Sequence, residues 1–227
     1  MSSAAPLPLA AESLARVFHD GPRQIDVLRD ASLSVRPGEF VAVLGRSGAG
    51  KTTLLNLLGL LDHPDAGRVV VDGRDVTRLG GGARARLRGR FFGFVFQSYH
   101  LLPEFTALEN VLLAPRAAGL RADRAKAETL LERVGLGHRL TARPATLSGG
   151  EKQRTAIARA LAAEPRVLLA DEPTGNLDEA TGAQVIETLF DLGRALGQTA
   201  VVVTHDAAIA GRADRVLHLD AGVLHEG

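Results

Sequence analysis

The 227-residue chain carries 27 Lys and Arg against 26 Asp and Glu, a net charge of +1, which leaves no global field to draw it onto nucleic acid or anionic lipid. It contains no Cys, so a disulfide framework, a zinc ribbon and thiol catalysis are excluded together. No apolar run approaches the roughly 18 residues of a membrane span, and the N-terminal MSSAAPLPLAAESL, broken by Pro6 and Pro8, does not read as a signal peptide. These features predict a soluble, cytoplasmic protein for which any membrane role requires a partner.

In chain order, the first apolar run is FVAVL (Phe40 to Leu44), too short for a helix and read as a strand. GRSGAGKT, Gly45 to Thr52, follows it and leads into the apolar helix TLLNLLGLL. The pattern fits G-x-x-x-x-G-K-[ST]: glycines let backbone N–H groups converge on phosphate oxygens, Lys51 adds a point charge, and the Thr52 hydroxyl can ligate Mg²⁺. The bland reading is a glycine-rich turn, but the strand–loop–helix context favours a nucleoside triphosphate site.

RVVV (Arg68 to Val71) is the next strand. GGGARARLRGR, with arginines at 84, 86, 88 and 90, reads as an ordinary solvated face in preference to a partner-facing patch. FGFVF, Phe92 to Phe96, is read as a buried strand with core aromatics. From Thr106 to Gly149 no convincing strand appears. Thr106 and Glu109 offer a capping box, and Ala127, Leu130, Leu131 and Val134 make a helical stripe closed by Gly135.

LSGGEKQR begins with a second S-x-x-E capping box, Ser148 and Glu151, and a helix is predicted to run from it toward Pro165. The box accounts for Ser148 and Glu151 but not for Gly149 and Gly150, whose backbone N–H groups could face an anion. RVLLADEPTGNLD is a strand ending in two carboxylates. Asp171 could hold Mg²⁺ and Glu172 could address an attacking water, or both could be a solvated strand end. A helix through Ile186, Leu189, Phe190 and Gly193 should stop at Gly197. The strand TAVVV precedes His205, whose bland role is a structural hydrogen bond, and Asp206, a candidate N-cap. RVLHL is the last strand. Strands alternating with helices predict an α/β fold with a largely parallel sheet.

The order P-loop, Gln97, LSGGE, DEP, NLD and His205 resembles the ATP-binding cassette (ABC) ATPase family over essentially the whole chain. The resemblance implies one domain over residues 1–227, with a P-loop NTPase core and mainly parallel sheet, an N-terminal antiparallel β portion and an inserted α-helical subdomain. The core lobe would take about residues 7–97 and 150–227, the helical lobe about 98–149. It implies ATP and Mg²⁺ as cofactors. ATP would be held by Phe18, stacked on the adenine, and by Gly45, Arg46, Ser47, Gly48, Ala49, Gly50, Lys51, Thr52 and Thr53. Ser148, Gly149, Gly150, Glu151 and Asp178 would act in trans across a head-to-tail homodimer formed on ATP binding. Glu172, His205, Gln97 and Lys51 would be catalytic, and Thr52, Gln97 and Asp171 would serve the metal.

Within the family, GFVFQSYHLLPEFTALENV and LADEPTGNLD are most similar to the lipoprotein-releasing branch and the related macrolide-export and cell-division branches. Ser98 and Tyr99 depart from the aromatic and His usual in the lipoprotein branch. The resemblance implies integral membrane permease partners and no nucleic acid, with Ser98, Tyr99, His100, Leu101 and Leu102 receiving the partner. The protein would sit on the inner face of the cell membrane through that permease. A cell-division-type subunit signalling through a membrane partner and a soluble non-transport ABC ATPase are the alternatives. The latter usually needs a coiled-coil insertion or a second cassette, neither of which is evident.

Overall fold

The computed structural model describes residues 6–226. Five residues of the N-terminal stretch read above lie outside the described residues. The chain runs β1 (Leu9–Asp20), β2 (Arg23–Val35), β3 (Phe40–Leu44), α1 (Lys51–Leu58), β4 (Ala66–Val71), β5 (Arg74–Asp75), α2 (Gly81–Phe91) and β6 (Phe92–Phe96). It continues through α3 (Ala107–Ala117), α4 (Arg124–Arg133), α5 (Gly149–Leu161), β7 (Val167–Asp171) and α6 (Glu179–Ala195). It ends with β8 (Thr199–Thr204), α7 (Ala207–Ala210), β9 (Arg215–Asp220) and β10 (Val223–Glu226). Two compact units result, one formed by residues up to Arg84 and from Thr199 onward, the other by Ala85–Gln198.

In the first unit the strand order is β5-β4-β1-β2-β10-β9-β3-β8. β3 lies parallel to both β8 and β9, and every residue of β8 is buried, as a strand covered on both faces requires. β1 and β2 form a long antiparallel hairpin extended by β4 and β5. The sequence did not mark β1 or β2 as apolar runs. Their register shifts between Ala11 and Val17 break the period-2 pattern, and much of each strand is exposed.

The arginine-rich segment departs from expectation. It is the helix α2, and Arg84 is buried rather than solvated. Its Nε donates to the Leu60 carbonyl at 2.8 Å and its terminal nitrogens reach the Asp62 carbonyl and the His63 ring. The carbonyls just beyond α1 need donors, and a long side chain can bury its stem while its head supplies them.

In the second unit β6 and β7 pair in parallel, from Phe92 opposite Val167 to Phe96 opposite Asp171. α5 packs against β6 and is the element on which α3, α4 and α6 converge. Both predicted capping boxes form in full, at Thr106 and at Ser148. α4 ends as expected with Gly135 at φ 77°, and α6 ends with Gly197 at φ 65°. The aromatic run is only partly core. Phe91 and Phe92 are buried edge-to-face, with centroids 5.1 Å apart, whereas Phe94 and Phe96 are half-buried and stacked 5.6 Å apart. β6 is the terminal strand of its sheet, so the aromatic face leaves cover toward its C-terminal end.

Candidate functional site

Within the first unit the phosphate-type loop leaves β3 at Leu44, and the Gly45 N–H donates to the Thr204 carbonyl at 3.2 Å. His205 follows that carbonyl at the end of β8 and is exposed. Gly48 and Gly50 have φ of 80° and 99°, a region that side chains with a Cβ disfavour. A Cβ on Gly50 would also lie 2.9 Å from Val27 Cγ1. Gly50 is the N-cap of α1, and no side chain caps the helix or places an acid in its first turn. No acid in the helix's own first turn offsets the partial positive charge of that terminus. Lys51 is buried and turns its Nζ back over the loop, donating to the carbonyls of Gly45 at 2.8 Å and Arg46 at 3.0 Å. Arg46, Ser47, Gly48 and Thr52 are exposed, Ala49 and Thr53 half-buried. Phe18 stands on β1 and is 41% exposed. Asp206 caps α7 as expected, accepting from the Ala208 N–H.

Within the second unit β7 is buried throughout and ends at Asp171. Glu172 follows with φ 42°, an uncommon left-handed conformation for a residue with a long side chain. Asp171 is buried and Glu172 half-buried. Gln97 leaves the end of β6 and exchanges hydrogen bonds with Asn176. Its Nε2 donates to Asn176 Oδ1 at 3.2 Å, and Asn176 Nδ2 donates back to the Gln97 carbonyl at 3.1 Å. Gln97, Asp171 and Glu172 thus lie at neighbouring strand ends.

At the start of α5 the Ser148 hydroxyl accepts from the Glu151 N–H at 3.2 Å, and Glu151 accepts from the Ser148 N–H at 2.8 Å. Glu151 also takes the Arg139 guanidinium at 2.8 Å. The Ser148 backbone donor first, then Arg139, lower its pKa to about 2. The two glycines have a packing role that the motif alone did not reveal. A Cβ on Gly150 would meet Thr181 Cγ2 at 2.5 Å, and one on Gly149 would meet Leu177 Cδ2 at 2.9 Å. Asp178 caps α6 through the Thr181 N–H at 3.0 Å, and that donor holds its carboxyl below the usual range.

Tyr99 and His100 are consecutive left-handed residues, at φ 59° and 47°. Arg159 of α5 donates to both of their carbonyls. Ser98 and Leu102 are exposed, while Tyr99 and Leu101 are half-buried. Burial pushes the Tyr99 phenol up.

A family model described as ABC transporter matches residues 28–175. The chain belongs to the ABC transporter family. It is 52% identical over 217 residues to a lipoprotein-releasing system ATP-binding protein LolD of Cereibacter sphaeroides, covering 94% of this chain and 97% of the relative. It is 47% identical to the LolD of Alcanivorax borkumensis, covering 99% of each. Among solved structures it is similar to a dimer of the ATP-binding cassette MJ0796 in a post-hydrolysis state bound to ADP and Pi. The TM-score is 0.87 at 36% identity, over 96% of this chain and 98% of that one.

The fold is therefore the P-loop NTPase type of ABC cassettes, a mixed sheet with helices. Among the described residues no helix is long and apolar enough to cross a membrane. Three residues of this cassette escaped the sequence reading. Gln153 is fully buried in α5 and donates to the carbonyls of Phe96, at 3.2 Å, and Pro173, at 2.7 Å, tying the ends of β6 and β7. Asn110, also fully buried, donates to the carbonyls of Leu102, Phe105 and Thr106 and accepts from the Leu102 N–H. Arg159 is the third. For each the available signal was a polar side chain inside an apolar helical face.

Proposed function

We propose that the protein is the ATP-hydrolysing subunit of an ABC transporter for lipoprotein release, and that it powers a separate membrane permease by closing as a homodimer around ATP. The observation that carries the reading is the start of α1, where an uncapped helix terminus, two left-handed glycines and a buried Lys51 converge on one loop. That is a cradle for the oxygens of a triphosphate. The relatives are lipoprotein-releasing system ATP-binding proteins, which supports the cargo, and their near-full coverage supports carrying it over.

Each unit brings its own groups. From the first, the loop Gly45–Thr53 holds the phosphates, Lys51 neutralises their charge, Phe18 stacks on the base, and His205 contacts the γ-phosphate. From the second, Glu172 accepts a proton from the attacking water while Gln97 orients that water. The water oxygen bonds to the γ-phosphorus as the bond to the bridging oxygen breaks, leaving ADP and phosphate. Among the described residues no cluster of three or more His, Asp or Glu holds a metal alone. The oxygen ligands offered by Thr52 and Asp171 suit Mg²⁺, which binds proteins through a few oxygens and shares the substrate's phosphates. When bound, Mg²⁺ would stabilise charge on those phosphates.

Ser148, Gly149, Gly150, Glu151 and Asp178 would complete the partner's site in trans. Ser98 to Leu102 would receive the permease and seat the protein on the cytoplasmic face of the membrane. The test is Glu172→Gln. It should reduce ATP turnover at least a hundredfold, of the order expected for a general base, and leave ATP-dependent dimers intact in size-exclusion chromatography. Unimpaired turnover, or no dimer with ATP, would sink the proposal.

A further inference from the structure

We infer that Arg16 is a positioning residue for the base of the nucleotide, and that it sets the protein's preference for ATP over a bare triphosphate. The inference rests on the nucleotide-site reading above and extends it to a residue outside the P-loop.

Phe18 is a large, exposed ring close to the turn of the β1–β2 hairpin, paired in register with Ile25. Two residues along β2 from Ile25, Val27 lies against Gly50, the last glycine of the P-loop. The ring is therefore mounted on the strand pair that touches the phosphate cradle. One face of that ring is already occupied: the Arg16 guanidinium carbon sits 4.9 Å from its centroid. A flat aromatic base can stack only on the other face, which is polarised by the cation behind it.

Arg16 is itself held firmly. Its Nη2 pairs with Asp62 at 2.9 Å and its Nη1 with Asp65 at 3.0 Å, and its side chain is only 20% exposed. Nε is buried with no hydrogen-bond partner, so the terminal nitrogens carry all the polar anchoring. Asp65 also accepts from the Val17 N–H at 2.7 Å and donates its own N–H to the Ala15 carbonyl at 2.9 Å. Asp62 and Asp65 lie just after α1, the helix whose N-terminus closes the P-loop. A continuous path thus runs from the phosphate loop through α1 and these carboxylates to Arg16 and the ring. A ring fixed in this way loses less side-chain freedom when a base stacks on it. An ordinary salt bridge would need neither the guanidinium over the ring nor both carboxylates on one arginine.

The experiment measures dissociation constants of ATP and of inorganic tripolyphosphate, with Mg²⁺, for the full chain. Variants are Arg16→Met, Phe18→Ala, the double variant and Lys51→Ala. Arg16→Met should weaken ATP about two- to tenfold, the value of one immobilised side chain, and leave tripolyphosphate unchanged. The double variant should bind ATP no more weakly than Phe18→Ala alone. Arg16→Lys, which keeps the charge but loses the guanidinium fork that spans Asp62 and Asp65, should show the same selective loss with an unchanged Tm, guarding against misfolding of the Met variant. Equal weakening of both ligands, unchanged ATP affinity, or multiplicative effects of Arg16→Met and Phe18→Ala overturn the inference. If Lys51→Ala loses both ligands while Arg16→Met binds ATP like the parent, this inference alone fails. If Lys51→Ala binds ATP like the parent, the nucleotide-site reading fails and this inference with it.

Discussion

Gly150→Ala separates the two reasons for a glycine at the start of α5. On helix propensity alone the change should stabilise, because Ala gains up to about 1 kcal/mol over Gly in a helix interior and less in a first turn. The structure opposes that gain, since the new methyl would lie 2.5 Å from Thr181 Cγ2, against the 3.5–4.0 Å of an ordinary carbon–carbon contact. Thr181 cannot retreat freely, because its N–H is bonded to the Asp178 carboxylate at the cap of α6. Opening a gap of roughly 1 Å between two packed helices falls in the overpacking range of about 1–3 kcal/mol. The net expectation is a loss of about 1–2 kcal/mol, read by urea unfolding or as a fall in Tm of about 2–4 °C per kcal/mol. Thr181→Ser removes the offending methyl, so Gly150→Ala with Thr181→Ser should regain parental stability. ATP turnover then reports the second reason. If Gly150 must also approach a phosphate closely, the stable double variant remains slow. A Gly150→Ala protein as stable as its parent, or no rescue by Thr181→Ser, refutes the packing argument.

Two further outcomes test the groups around this helix. Glu151 has its pKa lowered from 4.5 to about 2, so it contributes stability that is complete above about pH 4.5 and is lost as pH falls toward 2. Glu151→Gln should flatten that part of the acid limb in unfolding experiments run across pH, and parallel limbs in parent and variant would refute the assignment. Gln153→Ala should cost about 2–3 kcal/mol in chemical denaturation, because the carbonyls of Phe96 and Pro173 lose a buried donor. A cost under about 0.5 kcal/mol would show that the strand ends do not depend on it.

What the sequence made legible follows from how local each signal is. The P-loop, both capping boxes and the helix ends at Gly135 and Gly197 are fixed by residues within a few positions of one another, and all appear where the spacing places them. β1 and β2 were hidden because bulges between Ala11 and Val17 destroy the alternation that marks a half-exposed strand. Arg84, Gln153 and Arg159 were hidden for a different reason. Each serves backbone carbonyls supplied by a distant segment, Leu60 for Arg84, Phe96 for Gln153 and Tyr99 for Arg159, and nothing near them in sequence announces those partners.

The segment at Ser148 shows why one reading of a motif need not displace another. The capping box uses the N–H groups of Ser148 and Glu151, and the N–H groups of Gly149 and Gly150, at the first two helical positions, lie outside it. A side chain at either glycine would crowd Leu177 or Thr181. The close fit to the neighbouring elements that demands glycine also keeps this end of the helix free of the Cβ atoms that would hold an anion away. A helix terminus with its cap complete, two further donors and no side chain at its first two positions leaves room for an anion of the kind the trans contact proposed above would bring. The box therefore accounts for the shape of the terminus, and the trans contact proposed above would use the donors the box leaves over.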